Sequence, residues 1–138
     1  MGEKSKGQTA LPTIILISGL IVEFAVAAVF INYFFSTSSL GEKLASRALA
    51  AAKAGIEDAT IKLARDKEFL PSAYNLSIDN DTATVSLSRQ IDAYNNYLIT
   101  IDAIGTAGSR QRKLEAIIVV NRLTGQLNLQ SLSEKSVL

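Results

Sequence analysis

Apolar residues follow three different rhythms along this chain, and each rhythm predicts a different element. From Leu11 to Phe35 the run is almost unbroken, and its one charge is Glu23. As a helix it would span about 37 Å, at about 1.5 Å per residue, against a bilayer core about 30 Å thick. The run therefore predicts a membrane helix. A secretory signal has a shorter apolar centre and a small-residue cleavage site. The exit here, Ser36-Thr37-Ser38-Ser39-Leu40-Gly41, has no clear Ala-x-Ala, so a retained anchor is the better reading. A buried core helix is disfavoured, because residues 71–138 are too few to wrap so long an apolar cylinder. Pro12 suits the first turn, where amides lack helical partners, and Thr9 suits a cap. Gly19, beside Ser18, leaves a thin spot that another helix could approach, though membrane helices also simply tolerate glycine.

The second rhythm runs from Gly41 to Leu70. Ala45, Leu49, Ala52, Ile56, Ala59 and Leu63 recur every three or four residues, as on one face of a helix. Glu42, Ser46, Lys53 and Glu57 lie off that stripe, and Leu70-Pro71 marks the predicted end. The two runs read as one long helix with a soft joint near Ser36–Gly41. Beyond Pro71 the rhythm drops to two. Tyr74, Leu76 and Ile78 form one candidate strand, Ala83, Val85 and Leu87 a second, and Tyr97, Ile99, Ile101 and Ala103 a third. Leu114–Val120 is the most apolar, and Leu127 and Leu129 begin a last one. Asp79-Asn80-Asp81, Gly105–Gly108 and Asn121–Gly125 read as turns, and Ser131–Leu138 as a loose tail. The spacing predicts an antiparallel meander with one apolar face, covered by the striped helix. The expected fold is α+β: a long N-terminal helix on a small antiparallel sheet.

Composition narrows the chemistry. The 138 residues hold 14 Lys+Arg and 13 Asp+Glu, a net charge of +1, with no histidine and no cysteine. Disulfides, thiol nucleophiles, Cys/His zinc sites and histidine acid–base catalysis are excluded. No glycine-rich phosphate loop and no nucleophile with a base stands out, so no enzyme, cofactor or metal site is expected. Asp79, Asn80 and Asp81 lack the spacing and distal glutamate of a calcium loop. Asn75-Leu76-Ser77 and Asn80-Asp81-Thr82 match the glycosylation pattern, a common chance match. Lys4 and Lys6 before the apolar run nearly balance the charges after it, so they do not orient it.

At Lys6-Gly7-Gln8-Thr9-Ala10-Leu11-Pro12 the chain resembles the leader junction of type IV pilins and pseudopilins, and the Ala-Leu-Pro run resembles the atypical, PilX-like minor members. The resemblance implies a leader over residues 1–7, a transmembrane and filament-core helix over 8–40, an amphipathic helix over 41–70 and a sheet domain over 71–138. Gly7 would end the leader and Gln8 would become the methylated mature N-terminus, after cutting by a prepilin peptidase. The implied protein is a structural subunit of a type IV pilus or pseudopilus, of the minor kind. It would wait in the cytoplasmic membrane, sheet domain outside, before entering an extracellular filament. Its partners would be other pilin-like subunits, the peptidase, an assembly platform and lipid. One departure is Pro12, which stands at the fifth mature position, where most of the family has glutamate. Tip-type minor pseudopilins also lack that glutamate. The alternative is a permanently anchored single-pass protein with a small binding domain.

Two charged features take a sharper meaning from that resemblance. A carboxylate near the bilayer centre costs roughly 2.5–3.5 kcal/mol, so Glu23 is a candidate subunit contact, facing the Gln8 amine of a neighbour displaced by about 22 Å. The plainer reading is a protonated carboxyl tolerated in a long helix. Arg110, Arg112 and Lys113 form a small basic cluster that would offer phosphate contacts to nucleic acid. A solvated strand end is the plainer reading there, since stacking aromatics are missing; Tyr94 and Tyr97 are the nearest.

Overall fold

The computed structural model of the chain describes residues 10–137. Helix α1 runs Ala10–Arg65, followed by β1 (Tyr74–Ile78), β2 (Asp81–Ile91), β3 (Tyr97–Ala107), β4 (Arg110–Val120) and β5 (Leu127–Lys135). The strands form one antiparallel sheet in the order β1-β2-β3-β4-β5, so every connection is a simple hairpin. The fold is α+β, as the rhythms predict. Compactness divides the chain at Leu40 and Gly41 into two units.

In the first unit every residue from Ala10 to Leu40 is exposed. Helix hydrogen bonds continue through the Ser/Thr stretch without a break. Thr37 helps by donating its hydroxyl to the Tyr33 carbonyl at 2.9 Å.

In the second unit the helix stripe packs on one sheet face. The buried helix positions are Ala48, Ala51, Ala52, Gly55, Ile56, Ala59 and Leu63. Ala45 and Leu49, expected on the stripe, sit half-buried at its flank. The stripe is made mainly of small residues, and so is the strand surface it meets: Ala83, Ala103, Gly105 and Ala116. Ile99, Ile101, Ile118, Val85 and Val120 fill the space around them and are fully buried. Small against small lets backbones approach. A Cβ on Gly105 would overlap the Ala48 carbonyl oxygen, and one on Gly55 would lie 2.8 Å from Val85 Cγ2.

Four local expectations change. α1 stops at Arg65, not Leu70: the Asp66 carboxylate accepts the Glu68 N–H, and the Phe69 N–H turns back to the Asp66 carbonyl. Aspartate offers the backbone this alternative to the helix. Gly105 is a strand residue, not part of a turn; the hairpin turn is Gly108-Ser109, with Gly108 at φ +56°. Asp81 begins β2 rather than closing the turn, which is left to Asp79 (φ +54°) and Asn80. Ser131–Lys135 is paired strand rather than loose tail. There Ile118 pairs with Leu129 and Ile117 with Ser131, so Gln130 is an extra, bulged residue.

Two polar clusters pin helix to sheet. Arg47 grips Asp81 with both ends of its fork, Nε donating to Oδ2 at 3.0 Å and Nη2 to Oδ1 at 2.8 Å. Tyr74 donates its hydroxyl to Asp58 at 2.8 Å, and Lys62 pairs with the same oxygen at 2.7 Å while lying 4.0 Å over the Tyr74 ring.

The glycine contacts give a direct expectation for stability. Gly105→Ala should destabilise the sheet unit by roughly 3 kcal/mol, because backbone must move, and Gly55→Ala by about 1–2 kcal/mol, because the Val85 side chain can yield. Gly19→Ala, with nothing within 4 Å, should leave that unit within about 0.5 kcal/mol of wild type. Denaturant titration of the full chain in mild detergent checks all three.

Candidate functional site

One surface the sheet unit does not account for is the exposed helix segment 10–40. Leu11, Ile14, Leu16, Ile21, Phe24 and Phe30 are each more than half exposed. So continuous an apolar surface exceeds what a water-facing helix carries. By length and composition, α1 contains one segment able to cross a membrane, close to the N-terminus. Its polar side chains turn inward. Ser18 donates to the Ile14 carbonyl at 2.7 Å, and Asn32 to the Ala28 carbonyl at 3.0 Å. Such back-bonding would satisfy these groups where no water reaches them.

Glu23 is different. It lies on α1 within this apolar surface, and among the described residues nothing hydrogen-bonds or pairs with it. One helical turn away on either side, at i−4 and i+4, stand Gly19 and Ala27. The carboxyl is thus flanked by the two smallest side chains, which leaves its approach open. Gly7 and Gln8, the expected cleavage junction, lie outside the described residues.

In the sheet unit most charges are already matched. Arg112 pairs with Glu134 at 2.8 Å and Lys113 with Asp102 at 3.2 Å. Of the basic cluster, Arg110 alone keeps a guanidinium without a carboxylate among the described residues, beside Gly41. The cluster sits at the exposed start of β4, beside the Gly108-Ser109 turn. The Asp81 carboxylate is taken by Arg47, and no three of His, Cys, Asp and Glu gather as a metal would need among the described residues. Asn75 accepts the Thr84 hydroxyl at 2.9 Å within the sheet.

Three carboxyls sit below their ordinary range. At Asp58 burial pushes upward most strongly, but hydrogen bonds from Lys62 and Tyr74 and the Lys62 charge outweigh it. The Arg89 hydrogen bond lowers Glu68, helped by Tyr97. The Asn96 backbone N–H lowers Asp92. The Tyr74 hydroxyl is pushed up, first by burial and then by Asp58.

A groove of about 590 Å³ runs between α1 and β5, lined by Ile56, Thr60, Ile61, Leu127, Leu129 and Leu132. It exists because the closest helix contacts fall on β2 and β3, at Ala83, Val85, Ala103 and Gly105. The inner side of β5 is left partly open.

These features define a class: an α+β chain whose helix is apolar and bare in one half, and buried on a five-stranded antiparallel sheet in the other. No protein-family model matches the chain, and comparisons with curated proteins and with solved structures give no significant match.

Tyr74 supplies a pH test. Its hydroxyl titrates higher in the fold than at the ordinary value of 10.0, so its contribution is fully present below pH 10.0 and is lost as pH rises above it. Stability of the full chain in detergent should fall between pH 10 and 11.5. Tyr74→Phe should be less stable at pH 8, by about 1 kcal/mol for the lost hydrogen bond, and should show a smaller alkaline decline. Denaturant midpoints measured across that range decide it.

Proposed function

We propose that this chain is a type IV pilin-like structural subunit, of the minor kind, held in the cytoplasmic membrane by residues 11–35 before it joins a pilus or pseudopilus. The observation that carries the reading is the division of labour along α1. One half is bare and apolar on all sides, and the other buries a small-residue stripe on an antiparallel sheet. The first half suits lipid and, after assembly, the same helix of neighbouring subunits. The second half fixes the sheet to its own stretch of helix. The sequence Lys6-Gly7-Gln8 ahead of the helix supports peptidase processing.

Assembly by this route is an exchange of contacts. Lipid tails are as apolar as leucine, so helices associate through close packing and interhelical polar contacts. Gly19 and Ala27 allow such an approach, and Glu23 between them offers a carboxylate to a cation on the neighbour. The Gln8 amine of an offset subunit is the matching group. Pro12, at the position where the family's glutamate usually stands, leaves Glu23 as the acidic group within the apolar run.

Intact mass of the protein from its native membrane tests the reading. Loss of Met1–Gly7 together with a methyl group on Gln8 is the expected result. An uncut chain in cells with an active prepilin peptidase would overturn it and favour a permanently anchored binding protein. A second expectation concerns Glu23→Gln: membrane insertion should be unchanged, while recovery of the chain in sheared filaments should drop at least about tenfold, for a lost contact of about 1.4 kcal/mol or more. Wild-type recovery would remove Glu23 from the assembly mechanism.

A further inference from the structure

At the end of the sheet where α1 terminates, two loops stand side by side: residues 92–96, joining β2 to β3, and residues 121–126, joining β4 to β5. Between them lies a cleft of about 340 Å³, lined by Tyr94, Asn95, Asn96, Asn121, Arg122 and Leu123. That is the lower end of the size range of small-ligand pockets.

Both loops are held rigid from within. Asp92 accepts the N–H groups of Tyr94 and Asn96 at 2.8 and 2.9 Å, and Asn95 sits at φ +62°. Asn121 accepts the N–H groups of Leu123 and Thr124 at 2.9 and 3.0 Å, and Gly125 turns back at φ +73°. Lys67 ties the second loop down by donating to the Arg122 carbonyl at 2.7 Å. A loop fixed this firmly still shows Tyr94 86% exposed and Leu123 94% exposed. Neither side chain is needed for the core.

Of the cleft's polar side chains, Arg122, Asn95 and Asn121 present donors, while Asn96 gives its NH₂ to Asp92 Oδ2 at 3.4 Å and presents its amide oxygen. The Asn121 amide oxygen is occupied by two backbone N–H groups, and the Asn95 amide oxygen by Arg122 Nη1 at 2.6 Å. Those bonds fix both amide orientations, so each NH₂ is left as a donor, and none of the described residues accepts from it. Arg122 lies 5.0 Å from the Tyr97 ring centre and makes no ion pair among the described residues. The two nearby carboxylates are already committed: Glu68 to Arg89 and Tyr97, and Asp92 to its own loop. An unpaired guanidinium and two amide donors call for an anionic acceptor. An exposed tyrosine face beside them calls for a flat or C–H-rich surface.

We propose that this cleft binds a carboxylate-bearing saccharide, with its carboxylate on Arg122 and the amides of Asn95 and Asn121 and its ring against Tyr94. A saccharide fits better than an acidic peptide, because the cleft lies between two loop tips and offers no free strand edge to an extended backbone. The inference stands apart from the filament reading: its chemistry belongs to the sheet unit alone.

The test uses the full chain in mild detergent, with glucuronate, galacturonate and N-acetylneuraminate as probes and galactose and glucose as neutral controls. Chemical-shift titration should show at least one acidic sugar binding at least about tenfold more tightly than either neutral one. Arg122→Gln and Tyr94→Ala should each weaken it about tenfold, with circular dichroism unchanged. Lys43→Gln, on the exposed start of the second helix half, should bind as wild type. Equal binding of neutral and acidic sugars would overturn the proposal. So would wild-type binding by a folded Arg122→Gln, preference for tetraglutamate over every sugar, or no binding of any acidic probe at about 10 mM.

Discussion

The close contact between α1 and β3 at Gly105 is the constraint on which the sheet unit depends. A helix normally stands off a sheet by the length of the side chains between them. Here Gly105 removes that spacer on one side, and Ala48 and Ala52 shorten it on the other, until backbone meets backbone. The larger residues, Ile99, Ile101, Ile118 and Leu63, are then needed around this point of contact, where the twisted sheet leaves the helix axis. Their burial contributes the bulk of the hydrophobic stabilisation, at about 25 cal/mol per Å² of apolar area. Its geometry, however, is set by residues that bury almost nothing.

That geometry also decides what stays open. A helix seated tightly on β2 and β3 cannot equally cover β5, so Leu127, Leu129 and Leu132 are left beside a groove. The seat needs orientation as well as proximity. Arg47 fixes the early part of the packed helix to the start of β2, and the Asp58, Lys62 and Tyr74 cluster fixes its last turns to β1. Glu68, Arg89 and Tyr97 then hold the segment after the helix to the middle of the sheet. These pairs are partly exposed, so water screens them and each contributes little to stability. Their role is to choose among the rotations that an alanine stripe alone would tolerate.

Much of this was legible in the sequence, and the failures have physical causes. Period two identified the strands because one sheet face is buried: the alternation at Tyr97–Ala107 runs its full length. β5 was cut short because Gln130 is bulged, so Leu129 and Leu132 stand three apart and the period breaks where the strand does not. Gly105 read as a turn because glycine usually marks one; its reason here is space, which only a tertiary contact reveals. Arg47 and Asp81 are 34 positions apart and share no local pattern. The loop cleft is similarly hidden, because only the meander's order brings Tyr94, Asn95 and Asn96 to Asn121 and Arg122.

The two halves of α1 suit different surroundings with the same backbone. From Gly41 onward water is available, so polar side chains face out and a stripe of small residues faces the sheet. From Leu11 to Phe35 the side chains suit a medium that accepts no hydrogen bonds, and the short polar groups satisfy themselves on the preceding turn, as Ser18 and Asn32 do. Glutamate can follow them only as the neutral acid, whose O–H donates; a carboxylate is an acceptor, and the carbonyls of the preceding turn offer it no proton. In the ionised form Glu23 would need a donor from outside its own helix. Lipid tails supply none; under the filament reading proposed above, the terminus of a neighbouring chain would. Under that reading Gly19 and Ala27 belong with Glu23, since a partner helix approaching this exposed carboxyl comes closest where the helix is thin.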